Sequence, residues 1–267
     1  MRRTALAALC LVAVAGTALT GCQSGEDRKD KASGNPRQSQ EAKKTEARKT
    51  EANEPFAGLT GGEITERAVA ATTGASSLRF KGDIPDEESG GTLRIDLALD
   101  KKGDCAGTLG MGDRGRTELI KAGDTLYLKY DEAFLRAQGE GEPQADVDAV
   151  VEMMAGKWTK MSATGADAED IAAFCDLDEV LGEARDGSSD ATRGEATTVD
   201  GTPALTLTEK DGKDRYTFYV ATDGEPYLLK LVSTSATDPG SVTFTDFGKP
   251  VPARKPAGEI IDLDALG

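Results

Sequence analysis

Histidine is missing from all 267 positions, and with it go the Ser-His-Asp and Cys-His relays and the commonest metal ligand. The groups left with chemistry to offer are four cysteines and an excess of carboxylates, 47 acidic residues against 32 basic. Carboxylate groupings such as Asp86-Glu87-Glu88 and Asp146/Asp148 contain the residue types of glycosidase chemistry. The same spacing is what solvated loops and helix starts produce. The acidic loop Asp211-Gly212-Lys213-Asp214 lacks the twelve-residue calcium pattern, and no phosphate-cradling glycine loop is present. The expectation is a protein with no catalytic residue, no metal and no cofactor.

The cysteines carry more information. Met1-Arg2-Arg3 precedes an apolar run from Ala5 to Leu19, and Leu19-Thr20-Gly21-Cys22 then gives way at once to polar residues. These are the charged, apolar and small-residue regions of a secretory signal. The apolar run, about 15 residues, falls short of the roughly 20 that a spanning helix needs. The last four residues resemble the lipobox of bacterial lipoproteins, which implies cleavage between Gly21 and Cys22 and diacylation of the Cys22 thiol. Residues 1–21 are therefore read as a signal peptide. The expected location is the outer face of the cytoplasmic membrane, held there by two acyl chains. A net charge of -15 repels nucleic acid and anionic lipid surfaces alike, so no nucleic-acid partner is expected and the anchor works without electrostatic help.

With Cys10 removed and Cys22 acylated, Cys105 and Cys175 remain as an even pair in an oxidising compartment. A structural bridge would close a loop of about 70 residues, worth on the order of 4 kcal/mol in the chain-entropy model. A redox-active pair would need proximity in sequence or an activating base, and the sequence displays neither.

These cysteines must be positioned by elements that the pattern of apolar residues reveals. Residues 22–55 have no apolar periodicity and read as a tether. Residues 56–267 read as one domain. It opens with a helix from about Gly62 to Thr73, and Thr92–Asp100 then alternates with Leu93, Ile95, Leu97 and Leu99 on one face. Such alternation means a strand with one buried face. Turns at Lys101–Asp104, Gly112–Gly115 and Ala122–Asp124 separate it from three further short strands, making a meander. Helical pattern interrupts the sheet between Asp131 and Gly182, with Val147, Val150, Val151 and Met154 on one face and a short strand at Trp158. Asp176 begins a short helix as its cap. Strands return over Glu195–Val199, Ala204–Glu209, Arg215–Ala221, Tyr227–Thr234 and Ser241–Phe247, several of them joined by Asp-Gly turns. The fold class is α+β, a curved antiparallel half-barrel sheet with helices across its concave face.

The order of elements resembles the LppX/LprAFG-type actinobacterial lipoproteins, whose fold is similar to that of the lipoprotein carrier LolA. The resemblance is carried by Glu118-Leu119-Ile120 with Leu126-Tyr127-Leu128-Lys129, and by Ala155-Gly156-Lys157-Trp158-Thr159-Lys160-Met161. Further on it is carried by Tyr219-Val220-Ala221-Thr222-Asp223-Gly224-Glu225-Pro226-Tyr227 and by Val242-Thr243-Phe244-Thr245-Asp246-Phe247-Gly248-Lys249-Pro250. It implies an apolar cavity for the acyl chains of a lipid or lipoglycan that is carried or presented across the cell envelope. The candidate lining is Leu93, Ile95, Leu97, Leu99, Leu126, Leu128, Phe218 and Val220; core packing against the helices is the other reading of the same face. The alternative function is a tethered, non-catalytic interaction or sensor module with a filled core and an envelope protein as its partner.

Overall fold

The computed structural model describes residues 55–86, 91–181, 190–235 and 239–266. The signal segment, Cys22, nearly all of the tether and Glu87-Glu88 lie outside these. Contacts divide the chain into Met1–Lys49 and Thr50–Gly267, and every described residue falls in the second unit.

The first helix, α1 (Gly61–Gly74), is started by a reciprocal cap. The Thr60 hydroxyl accepts from Glu63 N at 3.2 Å, and the Glu63 carboxylate accepts from Thr60 N at 2.7 Å. Its buried face carries Ile64, Ala68 and Val69, and two buried threonines return their hydroxyls to carbonyls one turn back, Thr65 to Gly61 and Thr72 to Ala68. Strands β1 (Ser77–Asp86), β2 (Gly91–Asp100), β3 (Cys105–Met111), β4 (Arg116–Ala122) and β5 (Thr125–Tyr130) follow as an antiparallel meander. Helices α2 (Glu132–Gln138) and α3 (Gln144–Met154), strand β6 (Trp158–Ser162) and helices α4 (Ala166–Ala173) and α5 (Leu177–Val180) form the middle segment. The second meander is β7 (Thr192–Val199), β8 (Thr202–Asp211), β9 (Asp214–Ala221), β10 (Leu228–Thr234) and β11 (Pro239–Thr245), and β12 (Ile260–Asp262) closes the order.

The twelve strands of the described residues form one open sheet in the order β12-β6-β5-β4-β3-β2-β1-β11-β10-β9-β8-β7. Every pairing is antiparallel except β12 on β6, where the Lys160 ammonium meets the Asp262 carboxylate at 2.7 Å. The seam between the two meanders is β1 against β11, from Arg79↔Thr245 to Asp83↔Ser241. β1 is a strand that the sequence reading passed over. It contains Pro85, which cannot donate to a ladder. That residue pairs with Thr92 of β2 beyond the point where the β11 pairing ends, so a central strand tolerates it.

In the middle segment the structure departs from the expected helical face at one residue. Val147 is buried and Val151 and Met154 are half-buried, whereas Val150 is exposed. The reason is that α2 and α3 pack on each other, with Val147 lying where a side chain at Gly139 would be, so the pair contributes nothing to the main core. The Asp176 carboxylate caps α5 as expected, accepting from Asp178 N and Glu179 N.

Cys105 and Cys175 form a disulfide with their Cα atoms 5.5 Å apart, tying the segment between α4 and α5 to the start of β3. Both are 1% exposed or less. The Cys105→Ala/Cys175→Ala double variant is expected to lose about 4 kcal/mol of unfolding free energy, measured by urea denaturation, because the bridge spans 70 residues.

Candidate functional site: the concave face of the sheet

The pairing registers place the inward-facing side chains in rungs that run across the strands. One rung runs through Phe244, Phe80, Leu97, Leu119, Leu128 and Thr159, crossing Gly107 on the way, and Leu205, Val220 and Leu228 pair in register across β8 to β10. Apart from that glycine, its members are buried, most of them completely. Gly107 has no substitute there, since a Cβ at that position would fall on the Asp96 carbonyl of β2. Leu228 and Leu231 face the same core although three residues apart, which strict alternation forbids. The bulge between Leu228 and Lys230 supplies the extra residue, and the Thr72 hydroxyl of α1 accepts from Leu228 N at 2.9 Å.

The next rung contains Leu207, Phe218, Leu231, Val242, Gly82, Ile95, Leu109, Thr117 and Tyr130. Here burial becomes uneven: Leu207, Phe218, Ile95 and Thr117 are buried, while Leu109, Tyr130, Leu231 and Val242 are only half-buried. One step further along the strands lie Tyr216, Ile84, Leu93 and Met111, all half-buried. The apolar face is thus closed at the end holding the disulfide and progressively opens toward the other. That open end is where the chain enters the domain, because the Arg193 guanidinium at the start of β7 donates to the carbonyls of Pro55 (3.0 Å), Phe56 (2.7 Å) and Leu59 (3.3 Å).

The candidate lining residues are therefore brought together on one face, in one continuous core. Leu97, Leu99, Leu126, Leu128, Phe218, Val220 and Ile95 are buried members of it, and Leu93 packs against it half-exposed. Residues that the sequence reading did not single out include Ile84, Leu109, Tyr216, Leu231 and Val242, which line the open part of the same face. Tyr216 and Val242 alternate with polar neighbours in their own strands, a signal present in the sequence, whereas Leu231 has Val232 beside it and Ile84 has Pro85; their position on two adjacent rungs is visible only once the strand pairing is known.

A cleft of about 730 Å³ lies at the closed end between α1 and α5, walled by Val69, Ala70 and Leu177 and rimmed by Lys101, Lys102, Lys121, Glu66, Asp176 and Asp178. The outer face of the sheet is polar, with cross-strand pairs Arg79 to Asp96 at 2.5 Å and Lys129 to Glu118 at 3.1 Å. Burial opposes ionisation of Asp96, but hydrogen bonds from Arg79 and Lys81 outweigh it and hold its carboxyl below the usual range. Asp148 is held by Arg136 at 2.8 Å on an exposed helical surface. Among the described residues, no group of three or more Cys, Asp or Glu is placed to hold a metal ion, and no helix is long and apolar enough to cross a membrane.

Among the described residues, Glu209 on β8 places a carboxylate on the concave side, two residues beyond Leu207 and opposite Tyr216. Burial first, and then the negative charges of Asp190 and Asp211, hold its carboxyl above the usual range. The folded state therefore binds that proton more tightly than the unfolded one, and the resulting stability is lost as pH rises through the folded value. Glu209→Gln is expected to have a higher urea midpoint than the parent near about pH 7 and an equal one near about pH 3.

No protein-family model and no curated protein matches the chain. Solved structures do. LprF from Mycobacterium bovis aligns over 74% of this chain and 97% of its own, at 15% identity and a TM-score of 0.53. The lipoprotein LppX from Mycobacterium tuberculosis aligns over 72% and 97%, at 13% identity and a TM-score of 0.48. The chain has an LprF-type, LolA-like fold, an α+β half-barrel built on one open sheet.

Proposed function

We propose that this protein is an exported, lipid-anchored envelope protein that takes acyl chains of a lipid or lipoglycan onto the open end of its concave face and carries or presents them. The observation that carries this reading is the burial gradient along the strands, from rungs that are fully covered to the half-buried Ile84, Leu93, Leu109, Leu231 and Val242. Apolar surface left partly wet inside a concave sheet gains free energy when an apolar ligand covers it. The LolA-like fold supports the same reading. In this reading residues 1–21 direct export, Cys22 carries the lipid, residues 22–55 are the tether and residues 56–267 form the binding domain. The protein performs no catalysis and sits on the outer face of the cytoplasmic membrane.

The complete covering of the rung through Phe80, Leu97 and Leu128 favours a second reading, a tethered interaction or sensor module with a filled core. Native mass spectrometry with lipid extraction separates the two. The full chain purified from a related host is expected to retain lipid at a fixed stoichiometry, and Leu93→Phe, which fills the open end without touching the covered rung, is expected to lose most of it while remaining folded. A ligand-free, fully folded parent protein under the same conditions would establish the filled module instead.

A further inference from the structure

Thr117 is 5% exposed, and its hydroxyl is the only buried side-chain nitrogen or oxygen among the described residues that lacks a hydrogen-bond partner. It stands on the concave face of β4, two residues before Leu119, with Leu109 opposite it on one side and Tyr130 on the other. Neither neighbour satisfies it: Leu109 is apolar, and no hydrogen bond joins the Thr117 hydroxyl to Tyr130. The other buried threonines for which partners are defined return their hydroxyls to main-chain carbonyls, Thr65 to Gly61, Thr72 to Ala68 and Thr159 to Leu128. A buried hydroxyl without a partner destabilises a fold, and valine has the same shape and an equal preference for strands. Thr117 thus places an unpaired hydroxyl on the rung that also holds the half-buried Leu109, Val242 and Leu231.

We propose that the Thr117 hydroxyl donates a hydrogen bond to the carbonyl oxygen of an acyl ester in the bound lipid. This rests on the carrier reading above and adds to it the chemistry of the linkage and the orientation of the ligand. The hydroxyl's one proton calls for an acceptor. Its apolar surroundings select a neutral acceptor over a phosphate or a carboxylate, whose desolvation no cation on this rung offsets. An ester carbonyl meets that description and is joined directly to the alkyl chain that the rung would cover. The lipid then lies with its linkage at β4 and its chains running across Ile95 and Val242 toward Phe218.

The test compares two lipids of equal chain length and headgroup, dipalmitoyl phosphatidylcholine and its dihexadecyl ether counterpart, which lacks both carbonyls. Binding from vesicles to the full chain is measured for the parent protein, Thr117→Val and Thr117→Ser. The parent protein is expected to bind the ester lipid roughly fivefold more tightly than the ether lipid, the value of about one neutral hydrogen bond. Thr117→Val should abolish that preference by weakening ester binding alone, and Thr117→Ser should keep it. Without lipid, Thr117→Val should melt at or above the parent temperature; a lower melting temperature would reveal a partner within the protein and overturn the proposal. Equal binding of both lipids by the parent protein, or a preference that survives in Thr117→Val, would overturn it while leaving the carrier reading intact. Binding of neither lipid would remove both.

Discussion

The pleat of a single open sheet governs this molecule. Inward side chains on a dozen strands form a broad apolar surface that the sheet cannot cover by itself, since a half-barrel has no second sheet to pack against. Cover comes from two separate places. α1 lies over the half containing β7 to β10, bonded to the sheet through Thr72 and Leu228 N. Ala168, Leu177 and Leu181 from the segment around α4 and α5 enter the core from the other half. That segment contains only short helices, and short helices have little stability of their own. The disulfide to Cys105 supplies a covalent tie at the point where the segment meets the sheet.

Because both covers are strongest at one end of the strands, the two ends differ in character. At the disulfide end the rung through Phe80, Phe244, Leu97 and Leu119 is as dry as any protein interior. At the end where Arg193 holds the incoming chain, the same face carries half-wet aliphatic side chains, the buried carboxyl of Glu209 and the unbonded hydroxyl of Thr117. The outer face helps preserve this asymmetry. Its Arg79–Asp96–Lys81 pairs tie β1 to β2 across the polar surface, and a second small cluster of Ala204, Ala221 and Leu229, with Tyr227 stacked on Phe247 at 3.9 Å, stiffens the β8–β10 region. The sheet is therefore braced from outside while its inner surface remains available at one end.

Much of this was legible in the sequence wherever a single strand or turn contained the whole signal. The alternation of Leu93, Ile95, Leu97 and Leu99 identified β2 without reference to any other segment, and Asp200-Gly201, with both residues at positive φ, identified a tight hairpin. Cys105 and Cys175, the even pair left on the reading of Cys10 as part of a signal and Cys22 as the lipid site, are the ones that form the bridge. β1 escaped because its proline contradicts a central strand unless the different lengths of its two ladders are known. The outer cluster escaped because Tyr219, Tyr227 and Phe247 are separated along the chain and meet only through a bulge and a C-terminal strap, in which Ser77 donates to Lys249 O and Gly248 N to Ser77 O.

The candidate site was legible as a face and not as a place on that face. Alternation tells which side of a strand is apolar, but burial along the strand depends on where the helices end, and that depends on distant residues such as Thr72 and Cys175. Thr117 shows the limit most clearly. In the sequence it is an ordinary β-branched residue in Arg116-Thr117-Glu118-Leu119, as suited to a strand as valine. Its significance lies in what it faces, and that is fixed by two registers, Leu109↔Thr117 and Thr117↔Tyr130, neither of which gives its hydroxyl a partner. A hydroxyl's hydrogen-bond account is a property of its rung, so a polar contact inside an apolar face is chosen by the pairing of strands and cannot be read from any one of them.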